Sequence, residues 1–200
     1  MLSAEVILPR RAHAQPSPRR VALGDCGACA LGGLLGITVD QTYTLVCGPR
    51  SFPLPSGPQS IGWQTMCEVV EASETAGRLS RALVDIPHWN VGGAHMTWGL
   101  SAMWQSRPWW KLAMTAMDAG LYGLACVSSV GGGADSEGPD HWVLIVGYRV
   151  RVESPGGDSE REHRELLVSC SARHPEGKWV GRREFLEKWG GFNTIWARPA

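Results

Sequence analysis

No apolar stretch of this chain approaches the roughly 20 residues that a bilayer-spanning helix needs. No net charge remains either: 19 Lys+Arg offset 19 Asp+Glu over 200 residues. The first absence excludes an ordinary membrane-spanning helix. The second removes the electrostatic footprint expected of a protein that binds DNA, RNA or an anionic membrane surface. No secretory leader is expected either. Met1 to Ala14 ends in Ala12-His13-Ala14, but the apolar core there is only Val6-Ile7-Leu8 and Glu5 precedes it, too short for a signal sequence. These readings point to a cytoplasmic protein. Six cysteines, at 26, 29, 47, 67, 126 and 170, show no regular spacing beyond the first pair. A chain long enough to bury a proper core does not need disulfide staples, so they are expected as buried free thiols. No internal repeat is visible.

Tryptophan is abundant, with ten residues, several of them between Trp89 and Trp110. Such a stretch lines a binding groove or fills a core. Residues 1–22, with Arg10-Arg11 and Pro16-Ser17-Pro18-Arg19-Arg20, are aperiodic and read as a flexible Pro/Arg-rich arm ahead of one domain over 23–200. Within that domain the pattern predicts a glycine-rich helix from Cys26 to about Leu35, a loop over 48–62 and a helix from Gln64 to Ala76. A further helix lies within 85–108, and another runs from Trp109 to Ala119, stopped by Gly120. An apolar strand follows from Leu121 to Val130, then a glycine loop over 131–139. The strand 141–152 turns through 154–158 and returns as Glu165 to Ser169. A short helix from Arg182 to Trp189 and a strand from Phe192 to Ala197 complete the chain. Helices precede strands, so the class is α+β, an N-terminal helical half packed on a C-terminal antiparallel sheet.

Two features carry chemistry. Gly24-Asp25-Cys26-Gly27-Ala28-Cys29 delivers a thiol onto the first turn of a helix, where amides without intrahelical acceptors and the helix dipole favour a thiolate. Far downstream, His141 opens the apolar strand Trp142 to Tyr148 and stands at its mouth. A cysteine at a helix start and a histidine at a strand start form the minimal set for a thiol nucleophile and its general base.

Asp25-Cys26-Gly27 followed by Leu31 and Leu34-Leu35 resembles the nucleophile helix of the papain-like cysteine peptidases, closest to the C39-like branch. His141-Trp142-Val143 to Gly147-Tyr148 resembles that branch's histidine block, and Glu184-Phe185 to Trp189-Gly190 its C-terminal block. The resemblance covers residues 23–196. It implies a papain-like fold and a thiol hydrolase acting on a peptide or protein substrate through an acyl-enzyme, with Cys26 and His141 catalytic and no metal or organic cofactor. Cys29 is the alternative nucleophile. The residue that holds the imidazole by its second nitrogen in these enzymes, Asn or Asp, falls here on Cys170. A thiol is a weak acceptor, so Ser171 is the candidate orienting residue, with Ser169 or Asp140 as substitutes. The oxyanion-hole glutamine is replaced by Arg20 and Val21, and Gln15 is out of register. These departures keep a catalytically inactive papain-like binding or adaptor module as the alternative, beside a zinc-stabilised interaction domain using Cys26, Cys29, Cys170 and His174.

Overall fold

A computed structural model of the chain describes residues 2–14, 25–47, 61, 63–80, 107–127, 141–153, 161–188 and 193–200. It is a mixed α+β structure with five helices and seven strands among these residues. The helices are α1 (Cys26–Leu35), α2 (Val39–Cys47), α3 (Trp63–Thr75), α4 (Arg107–Asp118) and α5 (Arg182–Lys188). The strands are β1 (Leu2–Ile7), β2 (Leu79–Ser80), β3 (Tyr122–Val127), β4 (His141–Glu153), β5 (Arg161–Cys170), β6 (His174–Gly181) and β7 (Asn193–Pro199). All pairings are antiparallel, in the order β2-β7-β3-β4-β5-β6, with β1 also on β4. No helix among the described residues is long and apolar enough to cross a membrane.

Helices cover both faces of the sheet. On one side Leu31 and Leu34 of α1, Tyr43 of α2 and Met66 and Val70 of α3 pack on Leu124, Leu144 and Val146. On the other, Trp110, Ala113 and Met117 of α4 and Phe185 of α5 pack on Val143, Ile145, Leu166 and Val168. This two-sided cover explains why β3 and the start of β4 read as unbroken apolar runs: neither face meets water. It also refines the expected layout. Strands come from both halves of the chain, and α4 lies across the sheet from α1.

The local predictions hold where chain chemistry dictates them. α4 ends as Gly120 enters the left-handed region at φ +77°, its N–H reaching Met117 O at 2.9 Å and that of Leu121 reaching Ala116 O at 2.9 Å. α1 closes the same way on Gly36. The hairpin of β4 and β5 is present, and its turn at 154–158 lies outside the described residues. So do the loop 48–60, the segment 85–106 with most of its tryptophans, the glycine loop 131–139 and Gln15, Arg20 and Val21.

Two expectations are corrected. Residues 2–14 are not a flexible arm: β1 pairs with 147–151 of β4, extending the line begun by β3. Beyond it, Ala12 N–H donates to Ser169 Oγ at 2.9 Å and His13 N–H to Cys29 O at 3.0 Å, while His13 Nε2 meets Ile37 O at 2.7 Å. Residues 15–22 of the expected arm lie outside the described residues. The second concerns 174–181, for which no strand is expected: they form β6, which His174 opens opposite Cys170. Pro175 is tolerated there because β6 is an edge strand, which can forgo a ladder donor.

Glu165 on β5 faces Arg149 on β4, with Arg149 Nη2 donating to Oε1 at 3.0 Å and Nε to Oε2 at 2.5 Å. The same guanidinium lies over Trp179, 4.1 Å from the ring centroid. Hydrogen bonding from Arg149 holds the Glu165 carboxyl below its usual range. A depressed folded-state pKa stabilises the fold above the unfolded value and loses that contribution as pH falls through the folded one. Glu165→Gln is therefore expected to destabilise by about 1 kcal/mol at pH 7. Urea midpoints of the two proteins should converge as pH falls below about 4.

Candidate active site

The amino end of α1 is built to approach other backbone closely. Asp25 precedes it in helical conformation (φ −64°, ψ −8°), and the first intrahelical bond runs from Cys29 N–H to Asp25 O at 2.9 Å. The amides of the turn before Cys29 consequently have no intrahelical acceptor, as at any helix start. Nine of the ten helix residues are buried. This burial is possible because glycines replace side chains where neighbours press in. A Cβ on Gly27 would lie 2.9 Å from Ile61 Cβ and 3.2 Å from Trp142 Cδ1. Trp142 is fixed in turn by its indole N–H, which donates to Ile61 O at 2.6 Å.

Cys26 packs in the apolar cluster that holds Ile61, Trp142 and Cys126. The helix start thus abuts Trp142 of β4, and pleat alternation turns His141 to the opposite face of the sheet, with its β3 partner Val127 and with Cys170. Cys26 is 3% exposed and Cys29 fully buried. Burial, reinforced by the charge of Asp25 and by Cys26, pushes Cys29 up to about 12, against a smaller opposing pull from the Ser171 hydroxyl. A sulfur so reluctant to ionise is a poor nucleophile at neutral pH.

His141 Nε2 lies 3.2 Å from Cys170 Sγ. The imidazole thus meets the side chain at the slot counted for the orienting residue, and that residue is Cys170. Ser171 turns to the other face of β5, towards Cys29. Its buried Oγ lies close enough to favour a Cys29 thiolate but reaches no hydrogen-bond geometry with any acceptor or donor. Ser169 also faces that side, where its Oγ accepts from Ala12 N–H and donates to Pro175 O at 2.6 Å. Neither serine is the partner of His141 Nε2, because alternation along β5 places Cys170 alone on the imidazole's side. Asp140 lies outside the described residues.

One participant carried no signal in the sequence. Tyr43, from α2, donates its phenolic hydrogen to Asp25 Oδ1, and both residues are buried. Burial and the Asp25 hydrogen bond hold the phenol well above its ordinary range. A helix reading of 39–47 with Tyr43 on the α1 face would have found it.

Cys26, Cys29, Cys67, Cys126 and Cys170 are all buried. Among the described residues no three His, Cys, Asp or Glu side chains gather as a metal-holding group. The zinc set Cys26, Cys29, Cys170 and His174 is therefore not assembled: Cys170 turns to His141, and His174 sits in β6 near Glu176. A scan against protein-family models and searches of curated proteins and of solved structures give no match to the chain.

Proposed function

We propose that this protein is a papain-like thiol hydrolase, closest to the C39-like branch, that cleaves an amide bond of a peptide or protein substrate through an acyl-enzyme. The observation that carries the reading is the 3.2 Å contact between His141 Nε2 and Cys170 Sγ. It engages Nε2, so proton transfer is assigned to Nδ1; because pleat alternation turns His141 to the sheet face opposite Cys26, the cycle requires the imidazole to swing round the end of β4 to reach the sulfur.

In the proposed cycle His141 donates its Nε2 hydrogen to Cys170, which fixes the tautomer with a basic Nδ1. Nδ1 takes the proton of Cys26 as the sulfur attacks the substrate carbonyl. Amides at the α1 start receive the developing oxyanion. The imidazolium then returns the proton to the leaving amine, and a water activated by the same nitrogen releases the acid and regenerates the thiol. Intact mass spectrometry with a thiol-reactive probe on wild type, Cys26→Ala and Cys29→Ala tests the assignment. Labelling should vanish in Cys26→Ala alone; a protein that takes no probe, or takes it equally without Cys26, defeats it.

The second reading, a catalytically inactive adaptor on the same fold, is favoured by the weakness of a thiol as an acceptor for Nε2–H. The two readings part at Cys170→Asn. A hydrolase should gain about fivefold in rate, since an amide oxygen improves that hydrogen bond by about 1 kcal/mol. An adaptor should gain nothing. Thermal melts of the variant check that the buried position accepts the amide.

A further inference from the structure

Cys170 is fully buried on the α4 side of the sheet, in the cluster that holds Val127, Val168, Val180 and Phe185. A cysteine sealed among such neighbours is ordinarily an inert small hydrophobe. Here one polar side chain reaches it: His141, half-buried at the start of β4, places Nε2 3.2 Å from Sγ, within the distance a general base needs. The other imidazole close by, that of His174, is the cross-strand partner of Cys170 on β6 and faces Glu176 instead, with Nδ1 3.7 Å from Oε1. Among the described residues Cys170 is also the one cysteine of its cluster, since Cys26 and Cys126 pack on the α1 side.

We infer that Cys170 is an oxidation site for small hydroperoxides, with His141 as its proton relay, and that the product is an isolated sulfenic acid rather than a disulfide. The S–H proton passes to Nε2, which keeps the couple neutral overall and spares the apolar surroundings a net charge. The sulfur lone pair attacks the terminal oxygen of the peroxide, an S–O bond forms and the O–O bond breaks. The leaving hydroxide or alkoxide takes the proton from the imidazolium and departs as water or an alcohol. Sulfur is oxidised by two electrons, the peroxide is reduced by two, and the imidazole ends as it began. The class of oxidant follows from the surroundings. A reagent that reaches a fully covered sulfur must be small and uncharged, and a peroxide needs a proton on its leaving oxygen, which the imidazolium holds at contact distance. A neighbouring thiol would turn the sulfenic acid into a disulfide; with no other cysteine in the cluster, the acid persists until an external thiol reduces it. The step uses the His141 tautomer with hydrogen on Nδ1 and needs nothing of Cys26, so it stands independently of the hydrolase reading.

The test exposes the full-length protein to hydrogen peroxide for timed intervals, stops the reaction with catalase and unfolds the protein in dimedone, which tags sulfenic acids. Tryptic peptide 165–173 carries Cys170 as its only cysteine, and mass spectrometry counts its dimedone and sulfinic forms together. Cys170 should oxidise about 10²-fold faster than the buried Cys67 and Cys126, the scale of general acid–base assistance. His141→Gln should remove that advantage and leave Cys67 and Cys126 at their wild-type rates. The inference is overturned by a Cys170 that oxidises no faster than those two, by an unchanged Cys170 rate in His141→Gln, or by Cys170 recovered in an intramolecular disulfide. If all three rates rise together in His141→Gln, the variant has not folded and the wild-type ratio decides alone. The hydrolase reading fails separately. Hydrolysis that survives Cys26→Ala removes the catalytic assignment and leaves the inference, whereas Cys26-dependent hydrolysis in a protein whose Cys170 shows no advantage removes the inference alone.

Discussion

Replacing Cys26 with alanine is expected to abolish peptide hydrolysis, a loss of roughly 10⁴-fold or more, the scale on which nucleophile deletions in acyl-transfer enzymes fall. His141→Ala should lose nearly as much, and the double variant little more than either. In the proposed cycle the two groups act as one unit: without a base the sulfur stays protonated, and without a sulfur the base has nothing to activate. Cys29→Ala should retain activity, because that thiol is fully buried and raised to about 12. Cleavage of a peptide library followed by chromatography, with circular dichroism of each variant, reads all four proteins. Full activity in Cys26→Ala, or its loss in Cys29→Ala with the fold intact, would overturn the assignment.

Among the described glycines, Gly33→Ala is expected to be the most destabilising added methyl, by about 3–5 kcal/mol. A Cβ at Gly33 would overlap the Arg11 carbonyl oxygen and stand 2.8 Å from Ala12 Cα. The obstacle is backbone, which cannot swing aside as the end of a long side chain can. Relief requires the segment Arg10 to His13 to lift from α1. That movement gives up the Ala12 bond to Ser169, the His13 bond to Cys29 O and the 2.5 Å bond from Arg10 Nη1 to Leu34 O. Gly181 provides the control: nothing lies within 4 Å of its Cβ position and its φ is not positive, so Gly181→Ala should be close to neutral. Urea denaturation gives the difference, and amide exchange at Ala12 and His13 should show protection lost there first. Equal midpoints for the two variants would mean that the segment does not bear on α1 as described.

What could be read from the residues alone was what short-range chemistry fixes. α1 begins at Cys26 and ends at the left-handed Gly36, and α4 stops before Gly120; each boundary is set within a few residues of itself. β4 and β5 were legible as apolar runs broken by a turn segment. β1 was not, although Leu2, Ala4 and Val6 alternate as a strand should. The arginines and prolines at 10–20 outweighed that signal, and a strand's partner cannot be inferred from its own residues when it lies in another part of the chain. β6 was hidden by Pro175 and Gly177, turn-formers that an edge strand accommodates. At the candidate site, counting along the chain placed the third position on Cys170, but chemical preference for a hydroxyl favoured Ser171. Pleat alternation decides between them, and it depends on where β5 begins. Tyr43 was invisible because its role depends entirely on α2 docking against the start of α1.

The pairing of β1 with β4 has a consequence for how the protein is made. Leu2 to Ile7 must wait for partners at 147–151, so this strand has no ladder until roughly 140 further residues have been synthesised, on the order of 10–30 s at ordinary elongation rates. Contacts of such long sequence separation slow closure of a sheet. The nascent chain therefore carries this strand unpaired over that interval, and factors that shelter emerging segments should affect the yield of folded protein more than Cys26→Ala does.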